Sequence, residues 1–323
     1  MTRPDIVLVT PALADANNGN WRTAQRWARL LSNDYRVRLA AAWSPGTSAG
    51  LPPQAMIALH ARRSAAAIQA WRARFPQRPL VVVLTGTDLY RDIAVDPDAQ
   101  RSLQLADRLV VLNERGLDSL PQALHRKTVI CLQSSPSRQT LSKTPRHLRA
   151  LMVGHLREEK CPETYQQASA LLAGSHDILL DHIGEALDPA LAAAARACVQ
   201  NQPHYRWLGG VPHAVVRRHI QRAHVLVHAS RMEGGAQVVI EAITSGTPVL
   251  ASRIDGNLGL LGDAYDGVFE VGDSAGLAAL LQQCRSDAAM LAGLQAQCAA
   301  RAHLFSPAHE RQTLLDTLKP LLA

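Results

Sequence analysis

Aromatic residues are scarce in this chain: three Phe, five Tyr and five Trp among 323 residues, or 4%. Recognition-helix spacing, zinc-finger spacing and dense basic runs are missing as well. Together these absences argue against nucleic-acid binding, which a net charge of +7 would by itself permit. Cysteine is sparse and irregular. Cys131, Cys161, Cys198, Cys284 and Cys298 form an odd, scattered set without C-x-x-C spacing. Neither a disulfide framework nor a structural zinc is expected, and the implied setting is reduced and cytoplasmic. No apolar run approaches the ~20 residues of a bilayer-spanning helix, so no membrane insertion is expected. The opening ten residues read as a short strand and not as a signal peptide. The thirteen histidines lack H-E-x-x-H or related spacing, and no G-x-S-x-G is present. Asp96-Pro97-Asp98 is formally D-x-D but reads as a proline turn, so no metal site is expected. Lysine is also rare: only Lys127, Lys143, Lys160 and Lys319. The positive charge is therefore mostly arginine, whose planar fork suits phosphate and equally makes a solubilising surface.

What is present is alternation. Apolar strand-like runs near 5–10, 37–42, 56–60, 80–85, 108–112 and 128–132 are separated by helical patterns. A polar stretch broken twice by proline, Gln133 to Pro145, reads as a linker. The pattern restarts near 148–153, 177–183, 205–208, 224–229, 248–252 and 268–271. This predicts an α/β protein of two Rossmann-like, doubly wound domains facing a cleft lined by strand C-termini. The expected division is 1–143 and 144–305. A final helix over 306–323 has packing back on the N-terminal domain as one arrangement open to it.

The most informative stretch runs from Ser230 to Ser252. After an apolar strand, Glu233 leads through Gly234, Gly235 and Ala236 into an amphipathic segment carrying Glu241. At ~1.5 Å of rise per residue the two carboxylates are expected to lie roughly 12 Å apart along the helix axis, about a sugar plus a ribose. Paired glycines and a helix N-terminus between them would suit phosphates, which points to a nucleotide-sugar donor site. A second loop, Gly154-His155-Leu156-Arg157-Glu158-Glu159-Lys160, follows a strand and places Arg157 and Lys160 where a pyrophosphate could be held. Alone it would pass for a solvated loop, and Cys161 beside it for a bystander thiol. Gly184, Gly209 and Val211 sit at two further strand ends, where they could face a nucleobase or simply turn the chain.

The N-terminal half carries three comparable strand ends. Gly19 and Asn20 precede a helix whose expected apolar face is Trp21, Ala24, Ala28 and Leu31, with Arg22 in its first turn. A cation there opposes the helix dipole unless an anion binds nearby. His60-Ala61-Arg62-Arg63-Ser64 ends another strand, and Thr85-Gly86-Thr87-Asp88 ends a third. Cations with small polar groups suit a small, highly charged acceptor.

In order, the Gly154–Lys160 loop, Glu233-x7-Glu241, Ser245-Gly-Thr-Pro-Val249 and Val268-Phe-Glu-Val-Gly-Asp273 resemble GT-B glycosyltransferases of family 4. That resemblance implies contact of Glu233 with the donor sugar, Glu241 with the ribose and Lys160 with the diphosphate. The arginine usual after the loop glycine is His155 here, with Arg157 as its substitute. With Asn18-Gly-Asn20, Ala58 to Ser64, Leu84 to Tyr90, Ala106 to Leu112 and Ile254 to Gly262, the chain is similar over nearly its full length to the selenosugar synthases of selenoneine biosynthesis. The implied reaction joins selenophosphate to the anomeric carbon of a UDP-sugar, UDP-GlcNAc or UDP-glucose, and releases UDP. On this reading Arg22, Arg62 and Arg63 face the acceptor with Gly19, Asn20, Thr85, Gly86 and Thr87. His60 and Asp88 are the candidates to assist later hydrolysis of the selenium–phosphorus bond. The substrates are small molecules, no cofactor is called for, and other enzymes of the same pathway are open as partners. Three alternatives stay open: transfer to a hydroxyl of a glycan or lipid, UDP-sugar epimerisation, and binding without turnover.

Overall fold

The computed structural model describes residues 3–11, 19–46 and 51–322. The Asn17-Asn18 part of the first glycine loop lies outside these residues. The chain divides into two units, Met1–Ser134 with Pro307–Ala323, and Ser135–Ser306.

The first unit holds β1 (Asp5–Val9), β2 (Arg36–Ala40), β3 (Ala55–Leu59), β4 (Leu80–Leu84), β5 (Arg108–Val111) and β6 (Thr128–Ile130). All pairings are parallel, in the order β2-β1-β3-β4-β5-β6. Residue alternation along these strands builds two separate cores. Val7, Val9, Met56, Ala58, Val82 and Leu84 join Trp43 and Trp71 on one side. Ile6, Leu8, Ile57, Leu59, Val81 and Val83 join Trp27 on the other. Strands buried on both faces read as continuous apolar runs, which is why the parallel sheet was visible in the sequence.

The second unit repeats the plan with β7 (Leu148–Val153), β8 (Ile178–Ile183), β9 (Tyr205–Trp207), β10 (Val225–His228), β11 (Val249–Ser252) and β12 (Val268–Phe269). Its order is β12-β11-β10-β7-β8-β9, again all parallel. The chain winds outward from β7 through β8 to β9, then returns to the other side of β7 for β10. The strand order therefore reverses between β7 and β10. Such a reversal splays the loops at the strand C-termini and opens a crevice there.

Three expectations are corrected. Residues 135–143, assigned above to the N-terminal domain, pack on the second unit: Arg138 N–H donates to Thr244 O (2.9 Å), Leu141 N–H to Gln221 O (3.0 Å), and Gln221 Nε2 to Gln139 O (2.6 Å). The polar, proline-broken composition resembles a linker, but those polar groups are satisfied by neighbouring backbone. The helix Gly19–Leu31 buries Thr23, Ala24, Trp27 and Leu31, so Trp27 and not Trp21 is its core tryptophan. Finally, the helix after Glu233 spans only Gln237–Ile243. Glu233 precedes it, so the separation of the two acids along one helix axis does not apply.

Within the first unit, the helix Pro307–Leu322 places Leu314, Leu315 and Leu318 in the core with Trp27. Glu310 on this helix is wholly buried. Its carboxylate accepts from Arg26 Nε (2.9 Å), Trp27 Nε1 (2.7 Å), Ser134 N (2.9 Å) and the Ser134 hydroxyl.

Candidate active site

In the second unit, four loops at strand C-termini, after β7, β8, β9 and β10, carry the residues singled out from the sequence, with Glu241 on the helix that follows the last of them. The glycines are where backbones approach most closely. Gly154 N–H donates to Ile183 O (2.9 Å), and Gly184 N–H to Gly209 O (2.9 Å). A Cβ on Gly184 would stand 1.8 Å from Gly154 O, so no other residue fits without moving that loop. Gly209 takes φ +66°, which turns the chain from β9 toward Val211. His182 braces this end from below: Nε2–H donates to Gly154 O (3.1 Å), and Nδ1 accepts from the Tyr205 hydroxyl (3.0 Å). Burial pushes its pKa down to about 4, partly opposed by the bond to Gly154, so the ring is neutral near pH 7.

The loop after β7 carries the cations. His155 Nδ1 accepts from Glu185 N–H (3.1 Å), tying the ring to the loop after β8. A short 3-10 turn, Glu158–Lys160, precedes the helix Pro162–Leu171, and Cys161 at φ 45° makes the join. The Lys160 stem passes over Gly154, where an added Cβ would meet its Cγ and Cδ at 3.4 Å. Its ammonium then donates to Glu233 Oε1. Glu233 Oε1 also lies 3.5 Å from His228 Nε2. Burial works against the Glu233 charge, but Lys160 and then His228 outweigh it and hold the carboxyl well below the usual carboxylate range. Lys160 and Glu233 follow β7 and β10, the two strands flanking the reversal. The expected pairing of Arg157 with Lys160 is absent from this arrangement. Arg157 is exposed and sits 4.0 Å from Glu159.

Glu241, on Gln237–Ile243, is buried and bonded to His213 Nε2 (2.6 Å). His213 opens the helix His213–Arg222 directly after the Gly209–Pro212 turn. The same helix buries Arg217, which donates to the Ser135 hydroxyl, Pro136 O (3.0 Å) and Ser245 Oγ (3.2 Å). Burial lowers the Arg217 pKa, and the Glu241 charge opposes that.

Four polar residues here escaped sequence reasoning: His213, His228, Arg217 and Arg231. Arg231 clips the two principal loops together by donating from Nη1 to Glu158 Oε1 (2.8 Å), from Nε to Cys161 Sγ (3.2 Å) and from its backbone to Glu159 O (3.0 Å). His228, a histidine ending an otherwise apolar strand, was the one available signal.

The first unit gathers a second cluster. His60 ends β3 with φ 72°, a strained value for a side-chain-bearing residue, and is 1% exposed. Its Nδ1 accepts from Arg63 N–H (3.3 Å), which leaves Nε2–H facing Thr87 Oγ1 at 3.0 Å. Burial lowers its pKa; Asp88 works against this and Arg63 with it. Asp88 is also wholly buried, and its carboxylate accepts from the backbone N–H groups of Ala61 (2.8 Å), Thr85 (2.8 Å) and Gly86 (3.0 Å). It pins the loops after β3 and β4 to each other, with Gly86 at φ 138°. Arg62 is held by Asp92 through Nε (2.8 Å), and Arg63 is exposed. Gly19 and Asn20 begin their helix, Arg22 is half-buried in its first turn, and Thr23 Oγ1 donates to Gly19 O (2.9 Å).

Among the described residues no group of three or more His, Cys, Asp or Glu side chains is placed to hold a metal ion. None of their helices is long and apolar enough to cross a membrane.

Comparison with solved structures extends the likeness to whole chains. Sucrose-phosphate synthase from Thermosynechococcus elongatus is 17% identical, with 99% of each chain covered and a TM-score of 0.79. Anabaena HepE, in a complex with UDP and glucose, is 15% identical over 98% of this chain and 100% of that one, with a TM-score of 0.77. The pneumococcal O-GlcNAc transferase GtfA, in a complex with UDP and GlcNAc, is 18% identical over 83% and 57%, with a TM-score of 0.65. The two parallel-sheet units thus have the GT-B fold. A search of curated proteins gave no match. The family model for glycosyl transferases group 1 matches residues 133–302, more than half of the chain and nearly all of the unit that carries Lys160, Glu233 and Glu241. The chain belongs to the glycosyl transferases group 1 family.

Proposed function

We propose that this transferase uses a UDP-sugar donor and passes the sugar to selenophosphate, forming a carbon–selenium bond and releasing UDP. The donor half rests on one observation: Lys160 and Glu233 meet at the reversal between β7 and β10, with the buried Glu241–His213 pair on the same unit. Lys160 would serve the diphosphate, Glu233 the sugar hydroxyls and Glu241 the ribose. Two structurally similar proteins, HepE and GtfA, bind UDP in their complexes, which supports a uridine donor.

The acceptor rests on the likeness of sequence motifs to selenosugar synthases, together with the His60, Arg62 and Thr85–Thr87 cluster in the first unit. Selenium in selenophosphate is a nucleophile near neutral pH. Its lone pair forms the bond to the anomeric carbon, and the pair of the breaking carbon–oxygen bond leaves on the β-phosphate of UDP. No strong base is required. Asp88, with three backbone donors on its carboxylate, then acts by holding the loop, while Arg22, Arg62 and Arg63 are the cations proposed to meet the anion.

The test is UDP release from UDP-GlcNAc and from UDP-glucose, with and without fresh selenophosphate, with products identified by mass spectrometry. UDP formed only with selenophosphate, alongside a selenium-bearing sugar, is the expected result. UDP-sugar binding without any response to selenophosphate would refute the acceptor. Sugar interconversion without acceptor would indicate an epimerase. In the same assay Arg62→Ala should leave UDP binding unchanged and lower turnover by ~10^2-fold through loss of acceptor placement. Glu241→Ala should weaken UDP binding itself.

A further inference from the structure

Behind Glu233 lies a buried polar chain to which the family match assigns no role. Asn257, wholly buried on the helix Asp255–Leu261, donates from Nδ2 to Ser252 O (2.9 Å) and Ser252 Oγ (3.1 Å). The Ser252 hydroxyl donates to Ser230 O. Ser230 Oγ lies 3.3 Å from His228 Nε2, and His228 Nε2 lies 3.5 Å from Glu233 Oε1. Gly256, next to Asn257, closes the loop from the other side: a Cβ there would stand 1.9 Å from Glu233 O. The backbone and the side chain of Glu233 are thus both set by these groups.

His228 is 2% exposed, and its Nδ1 has no hydrogen-bond partner among the described residues. An aliphatic residue at this buried strand-end position would leave no buried nitrogen unpaired. The use of the ring is therefore on its Nε2 side, toward Glu233. Both contacts to the carboxylate, from Lys160 and from His228, fall on Oε1.

We propose that His228 is a positioning residue for Glu233. It holds Oε1 when Lys160 leaves that oxygen for the donor diphosphate, so that Oε2 stays directed to the sugar. This rests on the donor roles proposed above. Lys160 cannot serve the diphosphate and remain on Glu233 in the same way, so binding exchanges its partner. His228, buried at the end of β10 beside a Ser230 whose backbone oxygen is held by Ser252, does not move with it.

Calorimetric binding of UDP, UDP-glucose and UDP-GlcNAc tests this without reference to the acceptor. His228→Leu should weaken the preferred UDP-sugar about tenfold, the worth of one hydrogen bond to a charged group, while UDP itself binds within about twofold of wild type. His228→Gln, which keeps a donor at that reach, should recover most of the loss. In a Glu233→Gln background the His228→Leu change should add little further loss, because no carboxylate remains to be held. Should His228→Leu fail to fold, His228→Asn, whose amide is too short to reach Oε1, takes its place in the cycle. Equal weakening of UDP and UDP-sugar would overturn the proposal by showing a general structural role, and so would unchanged UDP-sugar binding. Wild-type protein that binds no UDP-sugar would overturn the donor reading and this proposal together, whereas normal wild-type binding with an inert His228→Leu overturns this proposal alone.

Discussion

Lys160→Met should lower turnover of the donor by ~10^2–10^3-fold, the usual cost of removing one group aimed at charge that develops in the transition state. On the proposed donor roles UDP carries the departing negative charge, and Lys160 is the lysine placed at the strand reversal. The same substitution alters Glu233. In the wild type that carboxyl is held far below its ordinary value of 4.5 by Lys160 and His228 against the effect of burial. A group depressed on folding contributes stability above its unfolded pKa, and that contribution is lost as pH falls through the folded value. For the wild type the loss therefore begins only below about pH 4.5. Without Lys160 burial counts for more, the Glu233 pKa rises, and the acid limb of both stability and sugar binding moves toward neutral pH. Turnover at pH 7 and urea unfolding across pH 4 to 7 check the two effects. A variant with normal turnover and an unmoved acid limb would remove Lys160 from the proposed mechanism.

Glu310→Ala should destabilise the first unit by ~3–5 kcal/mol, the cost of breaking a buried ion pair from one side. The substitution strands the Arg26 guanidinium, the Trp27 indole N–H and two Ser134 donors at once. Folded domains carry only ~5–15 kcal/mol in total, so a third or more of the margin is at stake. Glu310→Gln should cost less but remain harmful, since its amide nitrogen brings further protons to a site where every partner already donates. Because Leu314, Leu315 and Leu318 share this helix, its release also uncovers apolar core, and limited proteolysis should cut the variant near Pro307 first. Unfolding within about 1 kcal/mol of wild type would show that the helix is held by its leucines alone.

The same contrast between local pattern and distant partner separates what could be read from the residues. The central strands were legible because a parallel strand buried on both faces must be apolar throughout, and that signal needs only five consecutive residues such as Leu80–Leu84; the edge strands β2, β6 and β9, with Arg36, Arg38, Thr128 and Arg206 among their residues, were placed by their spacing in the alternation. Gly154, Glu233 and Glu241 were legible because a glycine at a strand exit and acids in a glycine-rich stretch stand out against it. The helix start was misjudged: Gly234 and Gly235 break regular structure, and the sequence does not say where it resumes. The linker was misjudged as well, because polar residues look alike whether water or a neighbouring backbone satisfies them.

Local pattern alone carries the α/β class, the positions of the strands and the strand ends that bear polar groups. Tertiary structure decided the partners. Lys160 meets Glu233 across 73 residues, His213 meets Glu241 across 28, and Trp27 meets Glu310 across 283. Periodicity reports only which face of an element is buried, and it carries nothing about the order in which strands are laid side by side. It is that order, with β10 returning to the flank of β7, that brings a lysine from one loop onto a glutamate oxygen from another.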